Sequence, residues 1–250
     1  MILHGKVPGL QRFRQLYRLL PADRRCKNCY VPLSGFAAPL MRLMGRRSYD
    51  KNPRFCNWCM WLGRVYPGGT EIELSLLFAD VRGSVSLAET MSAAEFSRVM
   101  SRFYDATTHV LIRTDAFIDK LVGDEVIGLY IPGYAGRRHA RKAVHAAQRL
   151  GRAMGYGTPA GPWLAIGIGV HTGAAYVGTV QGTEGAVTDF TALGDNVNIA
   201  ARLAAKAEPG EALISDEAYA AADLNLEYLE RRRLELKGKA DTVGVRVLRL

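Results

Sequence analysis

The chain has 250 residues, of which 48% are hydrophobic and 23% charged. This composition can bury a core and excludes an intrinsically disordered or low-complexity protein. We find no signal peptide and no run of about 18 apolar residues, so we expect no transmembrane segment and a cytoplasmic location. The net charge of +9 is uneven: 13 Lys and Arg against Asp23 and Asp50 give +11 through residue 66, which leaves −2 for the remainder.

The first predicted element is an amphipathic helix over residues 10–20, LQRFRQLYRLL, with three arginines. Its apolar side predicts packing against a partner subunit, and the alternative is contact with an anionic membrane surface. The cations of the first 66 residues are dispersed and form no basic recognition face. We therefore do not expect nucleic-acid binding.

All four cysteines lie in this first segment as two C-x-x-C pairs, Cys26 with Cys29 and Cys56 with Cys59. Each pair can hold one side of a metal ion and four thiolates complete a tetrahedron, so residues 1–66 are predicted to form a metal module. Structural Zn²⁺ is the leading interpretation and an iron–sulfur cluster is the alternative. A reducing cytoplasm disfavours disulfides. Because so short a segment buries little core by itself, bound metal would supply folding energy and could regulate the domain that follows.

Residues 71–250 alternate strand-like and helical patterns and predict an α+β domain. Helical periodicity covers 92–114 and 137–154. The strand-like runs are 72–79, 116–121, 125–131, 163–171, 175–181, 187–192, 212–215, 227–236 and 243–249. This order predicts a ferredoxin-like βαββαβ core with added strands.

Two aspartates, Asp80 and Asp124, stand where apolar runs meet turns, in LSLLFADVRGS and FIDKLVGDEVIGLY. Neighbouring strands would bring these like charges together, which raises a pKa unless cations neutralise the pair. Carboxylate oxygens suit Mg²⁺ or Mn²⁺, and Mg²⁺ completes its shell with water and substrate phosphates. Two such ions can stabilise both the attacking and the leaving oxygen of a phosphoryl displacement. The pattern indicates a nucleoside triphosphate site, and the alternative is a pair of ordinary turn residues.

The segment DFTALGDNVNIAARL passes from a strand through Gly194 into a helix. Asn198 and Arg202 are four residues apart, so both side chains project from one face. Arginine binds phosphoryl oxygens with two parallel hydrogen bonds and keeps its charge, and an amide suits a ribose. Further along, Lys237 and Lys239 flank a glycine in a basic turn, and Lys237 is a candidate second cation for the triphosphate.

These motifs, in this order, resemble the catalytic domain of the class III nucleotidyl cyclases, the adenylate and guanylate cyclase family. The resemblance covers residues 71–250. FADVRGS is similar to the family's first metal site and LVGDE to its second. GVHTGAAYVGTVQG, residues 169–182, resembles a central hairpin punctuated by glycines, and LGDNVNIAAR resembles the transition-state helix.

The resemblance implies a role for each matching residue. Asp80 and Asp124 would hold two Mg²⁺ or Mn²⁺ ions. Asn198 would orient the ribose, Arg202 would stabilise charge on the α-phosphate, and Lys237 would hold the β- and γ-phosphates. The expected substrate is ATP, and the expected products are 3′,5′-cyclic AMP and pyrophosphate.

Two further positions, Lys120 and Thr191, would read the purine. In cyclases that this chain resembles, a lysine with Asp or Thr reads adenine, whereas guanylate cyclases carry Glu and typically Cys. Lysine can donate to N1 of adenine and threonine can accept from its amine. Guanine reverses this pattern, and an unpaired buried polar group costs on the order of 1–3 kcal/mol. The alternative is that Lys120 forms a surface ion pair and Thr191 is a plain strand residue.

The family's site forms between two subunits, with metal residues from one and the Asn and Arg from the other. This chain keeps both sets, so a symmetric homodimer is expected. The alternatives are a noncatalytic nucleotide-binding or dimerisation module, or a guanylate cyclase. His171 lies in a strand-like run and is expected to be a packed core residue. Val85 and Asn196 stand where the family commonly has Thr.

Overall fold

The N-terminal segment combines short helices with a two-stranded sheet. The structure is a computed structural model that describes residues 8–182, 188–225, 228–239 and 241–250. The elements of this segment are α1 (Pro8–Arg18), β1 (Arg24–Arg25), β2 (Pro32–Ser34), α2 (Ala38–Leu43) and α3 (Asn57–Val65). The predicted amphipathic helix is present as α1, and its Tyr17 is buried in the core of its own chain.

The rest of the chain forms an eight-stranded sheet with helices on both faces. Its elements are β3 (Gly69–Val81), α4 (Ser84–Thr90), α5 (Ala93–Arg113), β4 (Phe117–Val122), β5 (Glu125–Tyr130), α6 (Pro132–Ala135), α7 (His139–Met154), β6 (Ile166–Gln181), β7 (Thr188–Leu193), α8 (Asp195–Lys206), β8 (Glu211–Ser215), α9 (Asp216–Ala222), β9 (Glu230–Leu234) and β10 (Val243–Arg249). The strand order is β4, β5, β3, β6, β8, β10, β9, and β7 pairs with β6. No helix among the described residues is long and apolar enough to cross a bilayer.

A ferredoxin-like core lies at one end of this sheet. β3, α5, β4, β5, α7 and β6 follow one another as βαββαβ, and the four strands lie side by side in the order β4, β5, β3, β6. Within this group of four, each strand is antiparallel to the next. β6 is parallel to β8, which lies on its other side. The α+β prediction and its ferredoxin-like core are therefore confirmed.

The predicted central hairpin within residues 169–182 is wrong. β6 runs without a break from Ile166 to Gln181, and it pairs with β3 as far as Gly178. The glycines in this strand allow close packing: a Cβ on Gly173 would lie 2.5 Å from the side chain of Asn196 on α8. Glycine inside a strand often marks such an approach, and the sequence pattern does not separate it from a turn.

The sheet has a separate core on each face. α5 and α7 cover one face, where Phe103 and Leu150 are fully buried. α8 and the N-terminal segment cover the other, where Val31 and Phe55 share one apolar cluster with Leu74 of the sheet. The N-terminal segment therefore completes its core on the sheet, which compensates for the little apolar area it can bury by itself.

One carboxylate, Asp115, joins the N-terminal segment to the sheet domain. Its Oδ1 lies 2.7 Å from Arg54 Nη2 and 2.8 Å from Lys27 Nζ, and its Oδ2 lies 2.7 Å from Lys142 Nζ. Burial alone would raise the pKa of Asp115, but hydrogen bonds and charge from Lys142 and Lys27 outweigh burial and lower it. An ionised Asp115 thus stabilises the contact between the two parts of the chain.

Candidate active site and cysteine cluster

Three carboxylates lie together where β3 ends beside the β4–β5 turn. Asp80 on β3 is directly opposite Glu125 on β5, and the N–H of Val81 donates to the carbonyl of Asp124 at 3.0 Å. The hydroxyl of Ser84 donates to the Asp124 carboxylate. The structure therefore brings Asp80 and Asp124 together at the end of β3 and adds Glu125, for which no role was predicted.

The electrostatics of this edge fit a divalent cation. Burial raises the pKa of Asp80, and Asp124 raises it further, against the opposing Arg82 guanidinium that bonds to Asp80. Burial, followed by the charges of Asp80 and Asp124, raises the pKa of Glu125 to about 7. Carboxylate oxygens are the hard ligands that Mg²⁺ and Mn²⁺ prefer, and Arg82 is the described cation beside them.

The two predicted purine-reading residues share one corner of the sheet, where β4 lies next to β7. Thr191 Oγ1 donates to Asp119 Oδ2 at 2.9 Å, and Lys120 Nζ lies 3.8 Å from Asp189 Oδ2. Thr191 is buried, whereas the side chains of Lys120 and Asp189 are about two-fifths exposed. Asp119 was not predicted as a site residue, although a carboxylate at a core position of an apolar strand is a visible signal.

Burial controls the ionisation of Asp119. It raises the pKa of this carboxyl to about 6, and Asp189 acts in the same direction. Thr191, Lys120 and Lys51 act in the opposite direction. Asp119 Oδ1 is buried and has no hydrogen-bond partner among the described residues. Asp119 is therefore mostly ionised at neutral pH, at a cost that its surroundings only partly offset.

The predicted phosphate-binding cations lie around α8. Among the described residues, Asn198 and Arg202 form no side-chain hydrogen bond or ion pair, and neither does Lys237 in the exposed turn after β9. A Cβ on Gly238 would lie 3.6 Å from Arg202 Nη2, so this turn is adjacent to the guanidinium. Lys239, by contrast, is paired with Asp195. Arg202 is thus adjacent to the turn that carries Lys237, and neither cation has a carboxylate partner in the described chain, which suits the binding of an anion.

The two halves of the predicted site are not joined within one chain. No hydrogen bond or ion pair among the described residues links Asp80 or Asp124 to Asn198, Arg202 or Lys237. Arg82 links the carboxylates to α8 indirectly. Its guanidinium bonds to Asp80 and also donates to the Ala205 carbonyl of α8 at 2.9 Å.

His171 is a packed residue, as expected. Its Nδ1 lies 2.8 Å from Ser215 Oγ and its Nε2 lies 2.8 Å from Asn196 Oδ1. Burial lowers its pKa, so the ring is neutral at physiological pH. Asn196 also donates to the Ala174 carbonyl at 2.7 Å. The asparagine therefore connects β6 to the start of α8.

The four cysteines form a compact buried cluster in which all Sγ atoms lie within 4.8 Å of one another. Cys26 and Cys59 are 3.9 Å apart, and Cys29 and Cys56 are 3.6 Å apart, so neither pair is a disulfide. Four thiolates around one zinc at about 2.3 Å would lie about 3.8 Å from one another.

The cluster favours a thiolate at Cys26 and at Cys56, whose pKa values are lowered, whereas hydrogen bonds to Cys26 raise the pKa values of Cys29 and Cys59. Burial opposes ionisation of Cys26, but hydrogen bonds from Cys29, Cys56 and Cys59 outweigh burial and hold its pKa well below its usual range. The Cys56 N–H also donates to Cys26 Sγ at 3.2 Å. A thiolate is the form that binds metal, so these donors suit a thiophilic ion.

The chain is similar in sequence to known proteins. The chain is 32% identical over 139 residues to an adenylate cyclase of Anabaena cylindrica, and 31% identical over 136 residues to adenylate cyclase 1 of Rhizobium meliloti. Each match covers 52% of this chain, but 26% and 20% of those relatives. The chain therefore matches about a quarter or less of the length of these relatives.

Solved structures agree in fold. The crystal structure of the adenylyl cyclase CyaB from P. aeruginosa superposes with a TM-score of 0.61 and 26% identity, over 72% of this chain and 96% of that one. The guanylyl cyclase Cya2 superposes with a TM-score of 0.60 and 24% identity, over 72% and 93%. Residues 69–248 match the sequence model of the adenylate and guanylate cyclase catalytic domain. The chain belongs to the adenylate and guanylate cyclase catalytic domain family.

Proposed function

We propose that this protein is an adenylate cyclase that converts ATP to 3′,5′-cyclic AMP and pyrophosphate in a homodimer. The observation that carries the proposal is the cluster of Asp80, Asp124 and Glu125, three carboxylates balanced by one guanidinium. Such crowding of like charge costs folding free energy, and a cation-bound substrate accounts for it. Asp80 and Asp124 would hold two Mg²⁺ or Mn²⁺ ions, whose chemistry is to neutralise phosphate charge and to activate the ribose 3′-hydroxyl.

The remaining groups position the triphosphate. In the reaction the 3′-oxygen bonds to the α-phosphorus, the bond to the β-phosphate oxygen breaks, and the hydroxyl proton is released with pyrophosphate as the leaving group. Asn198 would orient the ribose and Arg202 would bind the α-phosphoryl oxygens, where negative charge develops. Lys237 would hold the β- and γ-phosphates. Because Arg202 and Lys237 have no described carboxylate partner, no ion pair needs to break before they bind phosphate.

Hydrogen bonding at Thr191 supports ATP over GTP. An ionised carboxylate only accepts hydrogen bonds, so Asp119 takes the single hydroxyl proton of Thr191. The Thr191 oxygen then has only lone pairs to offer, which suit the amine of adenine and not the carbonyl oxygen of guanine. Lys120 would donate to N1 after leaving Asp189, and an exposed ion pair of this kind contributes at most about 1 kcal/mol.

The homodimer is supported by the lack of direct bonding between the two halves of the site. The carboxylates at the end of β3 make no hydrogen bond or ion pair with Asn198 or Arg202 among the described residues, so a second subunit can supply the missing half. In a twofold dimer, each carboxylate cluster can face the α8 of the partner subunit. The division into a metal module over 1–66 and a catalytic domain over 71–250 belongs to the same proposal.

We assign the four cysteines to one structural Zn²⁺ that holds the regulatory N-terminal module together. An iron–sulfur cluster distributes its cysteines over more than one iron, whereas the observed sulfur spacing suits a single ion. A thiolate site of this kind also requires a reducing compartment, and we place the protein in the cytoplasm on that ground. Elemental analysis of protein purified without air should find one zinc per chain in a colourless sample. A brown sample containing iron would reverse this assignment.

A direct assay tests the proposed activity. The full chain with Mg²⁺ or Mn²⁺ should form cyclic AMP from ATP in preference to cyclic GMP from GTP. Asp124→Asn should lower kcat/KM by about 100-fold or more, a loss of about 3 kcal/mol of transition-state stabilisation, while the melting temperature should not fall, because one of the crowded like charges is removed. D105N, on the exposed side of α5, is the matched control and should retain activity. Preference for GTP would indicate a guanylate cyclase, and absence of product from either nucleotide would indicate a noncatalytic module.

A further inference from the structure

A single side chain of the cysteine module holds the strand that carries Lys120. Asn52 Nδ2 donates to the carbonyl of Ile118 at 2.9 Å, and the N–H of Ile118 donates to Asn52 Oδ1 at 2.7 Å. Asn52 and Ile118 are both 2% exposed. β4 is an edge strand of the sheet, so the Asn52 amide takes the place of a neighbouring strand at Ile118.

The residues that follow Ile118 form the predicted purine-reading corner. The register of β4 against β5 shifts between Ile118 and Lys120, so Asp119 is the extra residue of a bulge. A bulge redirects the side chains around it, and its geometry depends on the hydrogen bonds at its ends. Asn52 therefore fixes the residue from which Asp119 turns toward Thr191 and Lys120 turns toward Asp189.

The same part of the module is joined to the cysteines. The N–H of Phe55 donates to the carbonyl of Asn52 at 2.9 Å, which closes a turn immediately before Cys56. The N–H of Lys27, next to Cys26, donates to the carbonyl of Arg54 at 2.9 Å. The turn 52–55 is thus held between the two cysteine pairs.

An aromatic row runs beside this contact. The ring of Phe55 packs edge-on against Phe117 of β4 at a centroid distance of 5.6 Å, and Phe117 packs against Phe190 of β7 at 5.0 Å. Asn52, Phe55, Phe117 and Phe190 line one cavity of about 380 Å³ at this junction. A displaced cysteine cluster would therefore disturb both β4 and β7.

We propose that Asn52 is a positioning residue for purine recognition, through which the metal-bound cysteine module sets the affinity and selectivity of the cyclase for its nucleotide. This inference rests on the proposed adenylate cyclase function and extends it. Without the Asn52 amide, two buried backbone groups of Ile118 lose their partners, and the bulge can relax to find others. Lys120 and Asp119 then lose their fixed positions. Residues that bind phosphate, such as Arg202 on α8, have no described contact with Asn52, so the chemical step should be spared.

Asn52→Ala in the full-length protein tests the proposal, with Asn57→Ala as control. Asn57 makes the same two-way amide contact, accepting from the Arg47 N–H and donating to the Gly45 carbonyl, both at 3.0 Å, but entirely inside the module and at a half-buried position. N52A should raise the KM for ATP by about tenfold with kcat within about twofold, and should lower the ATP-to-GTP ratio of kcat/KM by about tenfold. N57A should match the wild type. Equal behaviour of N52A and N57A would overturn the proposal.

Hydrogen exchange provides a readout that does not depend on turnover. The amides of β4 should exchange faster in N52A than in the wild type, while those of α7 stay protected. Faster exchange in both elements would show that N52A is unfolded. In that event the milder Asn52→Ser variant, whose shorter side chain cannot reach both groups of Ile118, replaces it in the same measurements. Unchanged protection of β4 in a folded variant would contradict the proposal.

Removal of the metal from the cysteine cluster should reproduce the effects of the Asn52→Ala substitution. Wild-type protein that is treated with a chelator and then returned to Mg²⁺ without zinc should show faster exchange in β4 and a raised KM for ATP, and added Zn²⁺ should reverse both changes. The same treatment of N52A should have little further effect on the KM, because the connection is already broken. Additive effects of chelation and N52A would overturn the connection to the cysteines.

Failure of this inference and failure of the proposed function give different results. A wild-type protein that synthesises cyclic AMP, together with an N52A variant of unchanged selectivity, would overturn this inference alone. Wild-type protein that neither turns over nor binds ATP would overturn the proposed function, and with it any role of Asn52 in purine recognition.

Discussion

At the scale of single residues, Asp119 carries the least compensated charge near the predicted purine site. One of its oxygens accepts from Thr191, and the other has no described partner. Burial is the main reason that the pKa of this carboxyl is raised to about 6. A native structure keeps such a group only where something else depends on it, and control of the Thr191 hydroxyl supplies that reason.

The raised pKa of Asp119 predicts a specific pH dependence of stability. The folded state binds this proton more tightly than the unfolded state, so the contribution of Asp119 is most favourable below about pH 4 and is lost as the pH rises to about 6. The interval from an unfolded pKa of 3.8 to a folded pKa of about 6 corresponds to about 3 kcal/mol. Between pH 4 and pH 7 the stability of Asp119→Asn to urea should therefore decline less than that of the wild type by about 2.4 kcal/mol, because the unfolded carboxyl is already more than half ionised at pH 4. Identical declines would contradict the assigned ionisation.

Exchange of the two purine-reading residues should move substrate preference. In Lys120→Glu with Thr191→Cys, the Glu can accept from N1 of guanine, and the Cys no longer provides a strong acceptor for the amine of adenine. We expect the ATP-to-GTP ratio of kcat/KM to fall by about 100-fold, since two lost pairings cost about 1–3 kcal/mol each and are partly compensated. Charge reversal at the exposed Arg98 is the control. An unchanged ratio would exclude this pair as the purine reader.

At the scale of elements, the interface between the cysteine module and the sheet is the distinctive feature of the chain. The module covers one face of the sheet with apolar side chains, and Asp115 and Asn52 add polar contacts at the end of β4. Contacts of both kinds surround the strand that carries Lys120. A module placed in this way can influence nucleotide binding without touching the carboxylate cluster.

Asp115→Asn should loosen this interface. The variant leaves Lys27, Arg54 and Lys142 without a counter-charge, and because these cations are partly exposed we expect a loss of about 1–2 kcal/mol. Asn tolerates the left-handed backbone of this position, where φ is +69°, so the turn itself should remain. Limited proteolysis should cut the exposed stretch 64–69 faster than in the wild type. D50N, which removes an exposed carboxylate of the module, should not change the rate.

At the scale of the whole molecule, the proposed site needs two chains. Mixtures of two inactive variants test this directly. Asp124→Ala lacks the metal half of the site and Arg202→Ala lacks the phosphate half, so a heterodimer keeps one intact site out of two. Random exchange makes half of the dimers mixed, and the mixture should recover about a quarter of wild-type activity. Cyclic AMP formation that stays at the level of the separate variants would exclude a shared site.

Much of the secondary structure could be predicted, because it follows local patterns. α5 and α7 begin and end within about two residues of the periodic segments, since apolar residues at helical spacing must face the sheet. A capping box between Ser92 and Glu95 marks the start of α5. The sequence predicts two strands in place of the continuous β6, because the glycines of this segment resemble turn residues. Their role in the structure is close packing against α8, and no local pattern reveals such a partner.

The sequence by itself determined the βαββαβ order of the core, the pairing of Asp80 with Asp124 and the gathering of four cysteines, because these follow from local periodicity and from the spacing of ligand residues along the chain. Only the tertiary structure decided which side chains complete these groups. Glu125 joins the carboxylates through strand register, Asp119 on β4 reaches Thr191 on β7, and Asn52 reaches Ile118 from another part of the fold. Contacts between residues 66 or 72 positions apart depend on how whole elements pack, and that packing is set by the burial of apolar faces across the entire molecule.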